Sequence, residues 1–249
     1  MKQIFYILIG LFSLGLFAQN QSLFEQGNQL YNDGKYAEAI DKYKAILDTE
    51  NHSAELYFNL ANAHYKLNHI APSIFYYEKA LKLSPKDQDI KNNLAFANNM
   101  TIDDIEVIPN AGFSKLIRNI TDIMRFDSWA KLAVASVIMF VLIFLIYYFT
   151  YSTFKKRLAF ITSNLFLFLA AISVAIAFHN YNLNKKDKPA IIFAQETVIK
   201  SEPNNRSQEL FRLHEGTKVQ IIDTINQWKE IKLTDGKTGW IENEDIKAL

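Results

Sequence analysis

Residues 23–49 and 57–83 align with each other at a shift of 34 residues. A period of that length defines one helix-turn-helix unit, which buries its apolar face only by stacking on a neighbour. Leu23 falls on Tyr57, Gly27 on Ala61, Tyr31 on Tyr65, Tyr36 on Ile70, Ala39 on Ser73, Tyr43 on Tyr77 and Leu47 on Leu81. The small residues predict a close crossing of two antiparallel helices, with Tyr and Leu filling the gaps between units. Asn68 stands where the first copy has the turn glycine Gly34, Ile46 stands where the second copy has the small Ala80, and Pro72 sits near a helix start, where a missing N–H costs little. A third unit begins at Asp89 with Ile90, Leu94 and Ala95 and loses its match after Asn98, which predicts a cap helix closing the array.

The second copy resembles the tetratricopeptide repeat through Tyr57, Leu60, Ala61, Tyr65, Tyr77, Ala80, Leu81 and Pro85. The resemblance implies that polypeptide is bound on the inner face of each repeat's first helix. The matching positions are Phe24, Asn28 and Tyr31, and Phe58, Asn62 and Tyr65. Asn side chains there suit a peptide backbone and the aromatics its side chains, although the same aromatics equally suit packing between helices. Basic residues that would clamp a terminal carboxylate are missing from these positions.

Composition changes along the chain. Met1-Lys2-Gln3, the apolar run Ile4 to Phe17 and Ala18 read as a signal peptide over 1–18, cleaved after Ala18, with an uncleaved anchor as the alternative. Leu132 to Tyr151 and Leu158 to Phe178 are each long enough to cross a bilayer and free of charge. They predict transmembrane helices over 129–151 and 158–179, joined by a basic turn over 152–157 containing Lys155, Lys156 and Arg157. Short basic loops stay cytoplasmic, so the turn and the export signal agree in placing both soluble parts in the periplasm of an inner-membrane protein. Trp129, Tyr147, Tyr148 and Tyr151 read as interfacial anchors. Ser136, Thr162, Ser163, Asn164 and Ser173 are expected to bond back to their own helices, or else to join the two helices. The spans hold no ionisable residue at mid-depth, which argues against a transporter or proton relay.

The repeats and cap helix occupy 19–100. Residues 101–128 read as an extended acidic linker broken by Pro109 and Gly112, then an amphipathic helix with Phe113, Leu116, Ile117, Ile120 and Met124 on one face. Residues 180–190 read as a polar tether that lets the last domain search near the membrane.

From 191 to 249 the pattern becomes short β-branched runs with turns at Glu215-Gly216 and Asp235-Gly236, which predicts a small closed barrel of five or six strands. The runs Leu213-x-x-Gly216-Thr217-x-Val219, Trp228-x-x-Ile231 and Asp235-Gly236-x-x-Gly239-Trp240-Ile241 resemble bacterial SH3-type domains. That resemblance implies contact with cell-wall peptide or another envelope protein. The first-strand signature is altered to Ile199-Lys200-Ser201-Glu202-Pro203-Asn204-Asn205, which changes the usual ligand loop. Trp228 and Trp240 are ligand candidates as well as candidates for the barrel core.

No constellation for chemistry emerges. The chain has no Cys, so disulfides, thiol catalysis and thiolate metal sites are excluded. His52, His64, His69, His179 and His214 are scattered without metal-ligand spacing, and there is no phosphate loop or nucleophile elbow. A net charge of +1 on an exported chain argues against nucleic acid. No enzyme, cofactor or metal is expected. The overall reading is a multidomain membrane protein with all-α repeats, a two-helix transmembrane hairpin and a C-terminal all-β SH3-like barrel. In this order the parts, with His214 to Val219 and Gly239-Trp240, resemble the BatE-type proteins of the Bacteroidetes aerotolerance (Bat) operon. The resemblance implies a stress-tolerance membrane complex with von Willebrand A-domain proteins and, indirectly, a MoxR-type ATPase. Two functions remain open: a non-catalytic scaffold in contact with membrane lipid and envelope proteins, or an envelope sensor whose SH3-like part binds peptidoglycan.

Overall fold

The computed structural model describes residues 19–106, 119–121 and 123–249. The expected signal peptide and residues 107–118 of the linker and amphipathic helix lie outside the described residues. The described residues divide into two compact units, the repeats together with Pro189–Leu249 and the segment Ile108–Lys188.

In the first unit, α1 (19–32), α2 (Tyr36–Leu47), α3 (Ala54–Lys66) and α4 (Ile70–Leu83) form two helix pairs, followed by α5 (Gln88–Asn98). Both copies turn in the same way. Gly34 at φ +78° and Asn68 at φ +56° occupy the left-handed region at equivalent positions, where Gly and Asn are the best tolerated residues. The next amide closes each helix, Lys35 N–H donating to Leu30 O at 2.9 Å and His69 N–H to His64 O at 3.0 Å. Ser53 caps α3 by accepting from the Leu56 N–H, and Asp87 caps α5 by accepting from Asp89 and Ile90. The close crossing expected at Gly27 is made against the Tyr43 ring, where an added Cβ would fall 2.5 Å from Cε1.

The β-domain comprises β1 (Pro189–Ile192), β2 (Glu196–Lys200), β3 (Glu209–His214), β4 (Lys218–Ile225), β5 (Trp228–Lys232), β6 (Thr238–Glu242) and β7 (Ile246–Ala248). They form one antiparallel sheet in the order β3-β2-β6-β5-β4-β1-β7. The expected count of five or six strands is therefore exceeded. Pro189–Ile192 adds a strand between β4 and β7, and the hydrogen-bonded ladder leaves β3 and β7 as edges. Ile199, Leu213, Val219, Ile231, Ile241 and Ile246 fill the core. Gly239 is required there because a Cβ would collide with Ile199 and lie 3.1 Å from the Lys200 carbonyl oxygen.

This domain packs on the second repeat instead of searching from a tether. Ile191, 0% exposed, enters the cluster of Tyr57, Ile74, Phe75, Ile90 and Leu94, and Phe193 meets Phe75 edge-on at 5.5 Å. The array is thus closed by α5 and the β-domain together. Residues 180–186 are not a tether either. They extend the second long helix, since Asn and Lys are no barrier to a helix that is already nucleated.

The second unit contains α6 (Phe126–Phe149) and α7 (Thr153–Lys186), two helices long and apolar enough to cross a membrane. Small residues, Ala133, Ser136, Ala159, Ser163, Ala170 and Ser173, are buried within this unit, whereas Val137, Leu145, Leu165 and Phe168 are exposed. Close helix approach through small residues is how hairpins pack in lipid. Thr162, Ser163 and Asn164 bond back to carbonyls of their own helix. The basic turn is shorter than expected. Helix α7 starts at Thr153, so Lys155, Lys156 and Arg157 lie in its first turns. Trp129 is buried in the protein, its Nε1–H donating to the Thr121 carbonyl at 3.2 Å, while Tyr148 and Tyr151 are exposed.

Candidate functional site

The repeats reproduce one hydrogen-bonded module twice. Tyr43 donates its hydroxyl to Asn28 Oδ1 at 2.8 Å, and Tyr77 donates to Asn62 Oδ1 one period later. Phe24 leans on the Tyr43 ring at 6.0 Å and Phe58 on the Tyr77 ring at 5.9 Å. Burial pushes the Tyr43 hydroxyl up to about 12 and raises Tyr77 as well, so both remain protonated donors at neutral pH. Asn28 Oδ1 accepts a second bond from Asn59 Nδ2 at 2.9 Å, which ties α1 to α3.

These side chains line a cavity of about 290 Å³ between the first helices of the two copies, bounded by Asn28, Tyr31, Asn32, Tyr43, Asn59 and Asn62. It has no charged side chain and four amides. Tyr43 and Asn59 together fill the amide oxygen of Asn28, and Tyr77 takes one lone pair of the Asn62 oxygen, so the amide Nδ2 groups of Asn28 and Asn62 are the donors these two residues can offer to a peptide carbonyl. Of the positions read from the repeat pattern, Asn28, Tyr31 and Asn62 converge on this cavity. Phe24 lies in a neighbouring recess of about 330 Å³ with Asn20, Ser53 and Leu56, and Phe58 in one of about 230 Å³ with Asp87, Asp89 and Ile90. Tyr65 packs against the core of the second repeat. Asn32 and Asn59 also line the cavity, but the period places Lys66 and Glu25 opposite them, so repetition does not mark either residue.

Trp228 and Trp240 stand outside the barrel core, both half-buried. Cross-strand register pairs Trp228 with Glu242 and Trp240 with Glu230, and partners in register share a face. Ile231, Gly239 and Ile241 alternate with them and point inward. The two indoles therefore form a checkerboard with two carboxylates on the outer face of β5 and β6.

Two histidines have structural roles that sequence spacing concealed. Asp103 accepts from the His214 N–H at 2.7 Å and the Thr217 hydroxyl at 2.6 Å, and its other oxygen lies 2.7 Å from His214 Nδ1. Desolvation works to raise the Asp103 pKa, yet the bonds from Thr217 and His214 outweigh it and hold the carboxyl below its ordinary value. Lys218 adds an ion pair to Glu78 at 2.6 Å. His64 is buried with its Nδ1 3.2 Å from His69 Nδ1, and burial lowers its pKa to about 3, so it is neutral. Among the described residues no group of three or more His, Cys, Asp and Glu is placed to hold a metal ion.

Comparison with known families agrees with this architecture. The tetratricopeptide repeat family matches residues 54–87, and the bacterial SH3 domain family matches residues 197–247. No curated protein matches the chain. The first copy falls outside the matched segment, yet it carries the same Tyr–Asn bond, the same Phe–Tyr contact and the same left-handed turn as the second. The chain therefore combines helical repeats of the tetratricopeptide type with an SH3-like domain and two apolar helices fit to span a membrane.

Proposed function

We propose that the protein is a non-catalytic membrane scaffold whose repeats hold an extended polypeptide segment. The observation that carries this reading is the uncharged, amide-lined cavity shared by Asn28, Asn32, Asn59 and Asn62, flanked by Tyr31. Its donors recognise backbone, and Tyr31 supplies an aromatic wall. Packing of the repeats and the β-domain into one unit supports a topology with both on the same side of the membrane, as does the pair of apolar helices among the described residues. With the export signal, that side is the periplasm. The BatE-type resemblance makes a von Willebrand A-domain protein of a stress-tolerance complex the first partner to test, with a MoxR-type ATPase acting indirectly. The outward Trp228 and Trp240 favour a second reading, in which the same face contacts peptidoglycan and the protein reports on the envelope.

A photocrosslinker at the exposed Asn32 tests the scaffold reading in native membranes, with the same group at exposed Asp41 as control. Products specific to position 32, identified by mass spectrometry and lost on Tyr31→Ala while the helical signal of the repeats is retained, are expected, although Tyr31 also packs on Tyr36 and its truncation lowers the melting temperature. Identical products at both positions, or products indifferent to Tyr31→Ala, would refute the groove.

A further inference from the structure

The closed end of the helical hairpin carries a recess of its own. Tyr147 at the end of α6 and Thr153, Lys156, Arg157, Phe160 and Ile161 on α7 line a cavity of about 420 Å³. Its wall is aromatic and aliphatic, with Tyr147 and Phe160 in ring contact at 5.6 Å. Lys156 reaches over the Tyr147 ring, its Nζ 5.3 Å from the centroid, which fixes a cation at the cavity's rim. These cations have no counter-charge nearby in sequence. From Ser128 to Lys186 the chain carries no Asp or Glu, and among the described residues Lys155, Lys156 and Arg157 make no ion pair. An apolar trough lined by two cations matches an anion carrying a hydrocarbon chain.

We propose that this recess binds one anionic glycerophospholipid, its phosphate held by Lys156, Arg157 and the Thr153 hydroxyl and an acyl chain lying against Tyr147, Phe160 and Ile161. The inference rests on the hairpin spanning the membrane. Bidentate guanidinium contact and a second cation give a phosphate site more than diffuse attraction. Lys155 discriminates between the two, because it carries the same charge one residue away and does not line the cavity.

The test uses the full chain in nanodiscs of phosphatidylcholine doped with chain-matched phosphatidylglycerol, with lipid retention read by native mass spectrometry. One phosphatidylglycerol is expected to remain bound. Retention should fall about tenfold or more in Lys156→Gln/Arg157→Gln and stay near wild type in Lys155→Gln, since charge-assisted bonds in a built site exceed the gain from a nearby surface charge. Phe160→Ala keeps every charge needed for insertion and should lower retention about fivefold. Equal losses from the Lys155 and Lys156/Arg157 variants, equal retention of both lipids, or displacement by inorganic phosphate would overturn the site. Insertion of the hairpin without phosphatidylglycerol retention would refute the lipid site while leaving the membrane reading standing, whereas failure of the wild type to enter nanodiscs would sink both.

Discussion

The two repeat copies share a backbone and a hydrogen-bonding module, yet they face different surroundings. Where α4 presents Phe75, α2 has Asp41, and where α4 presents Glu78, α2 has Lys44. Phe75 is buried against Phe193 and Glu78 pairs with Lys218 of the β-domain, whereas Asp41 is exposed. Positions that build the repeat itself, Tyr43 and Tyr77 or Gly34 and Asn68, keep their chemistry. Repetition therefore marks what each unit needs to fold, and its loss marks where a unit meets something else. The second copy packs its outer face on the β-domain, whereas the inner face is common to both copies.

The largest break in this comparison comes from Ile191→Ala. Truncating a fully buried isoleucine within the cluster of the second repeat should destabilise docking by about 2–5 kcal/mol. Hydrogen exchange of the detergent-solubilised chain should then speed up in both β1 and α4. Ile40→Ala in the first copy should loosen α2 and leave β1 protection unchanged. Loosening confined to β1 after Ile191→Ala would show that the two parts do not stabilise each other.

That docking was the part of the fold hardest to see in sequence. Period 34 gave the helix pairs, the turn at Asn68 and the cap helix, because those depend on local spacing. Asp235-Gly236 and Gly239 gave the barrel signature for the same reason, with Gly236 at φ +92°. Contacts between distant segments leave no such spacing. Asp103 reads as one acid in a solvated linker, and nothing local joins it to His214 more than a hundred residues later. The outward Trp pair was ambiguous because a lone indole in a short strand fits a core or a surface equally, and only register decides. Within the candidate groove, the residues on repeated positions were legible, while Asn32 and Asn59 were not.

A smaller effect separates the copies through pH. Asp103 has its pKa depressed in the folded protein, so its contribution to docking is complete above the ordinary carboxylate value near about 4 and is lost as pH falls through the folded value. Protection of the β1 amides, taken relative to the intrinsic exchange rate at each pH, should therefore fall in acid, with the first copy unaffected. Asp103→Asn should weaken docking at neutral pH by about 1–3 kcal/mol, the net worth of hydrogen bonds to a charged group, and flatten the acid dependence. An acid response as steep in Asp103→Asn as in the wild type would assign the sensitivity elsewhere.

The smallest effect sharpens the likeness between the copies. Gly34 sits at φ +78° with nothing within 4 Å of the Cβ it lacks, so Gly34→Ala tests backbone conformation with no steric clash. An alanine forced into the left-handed region should cost about 1 kcal/mol. Gly34→Asn should cost less, since the second copy already holds Asn68 at φ +56° with its amide bonded to Tyr65 O at 3.0 Å. The reciprocal change, Asn68→Gly, should be close to neutral, because relief of the left-handed backbone is offset by the greater freedom of glycine in the unfolded chain. Thermal melting should rank the variants with Gly34→Ala lowest and Gly34→Asn between it and the wild type. If Gly34→Asn melts below Gly34→Ala, the two turns are not equivalent, and the first copy, which lies outside the matched repeat segment, holds its helices together by a different turn.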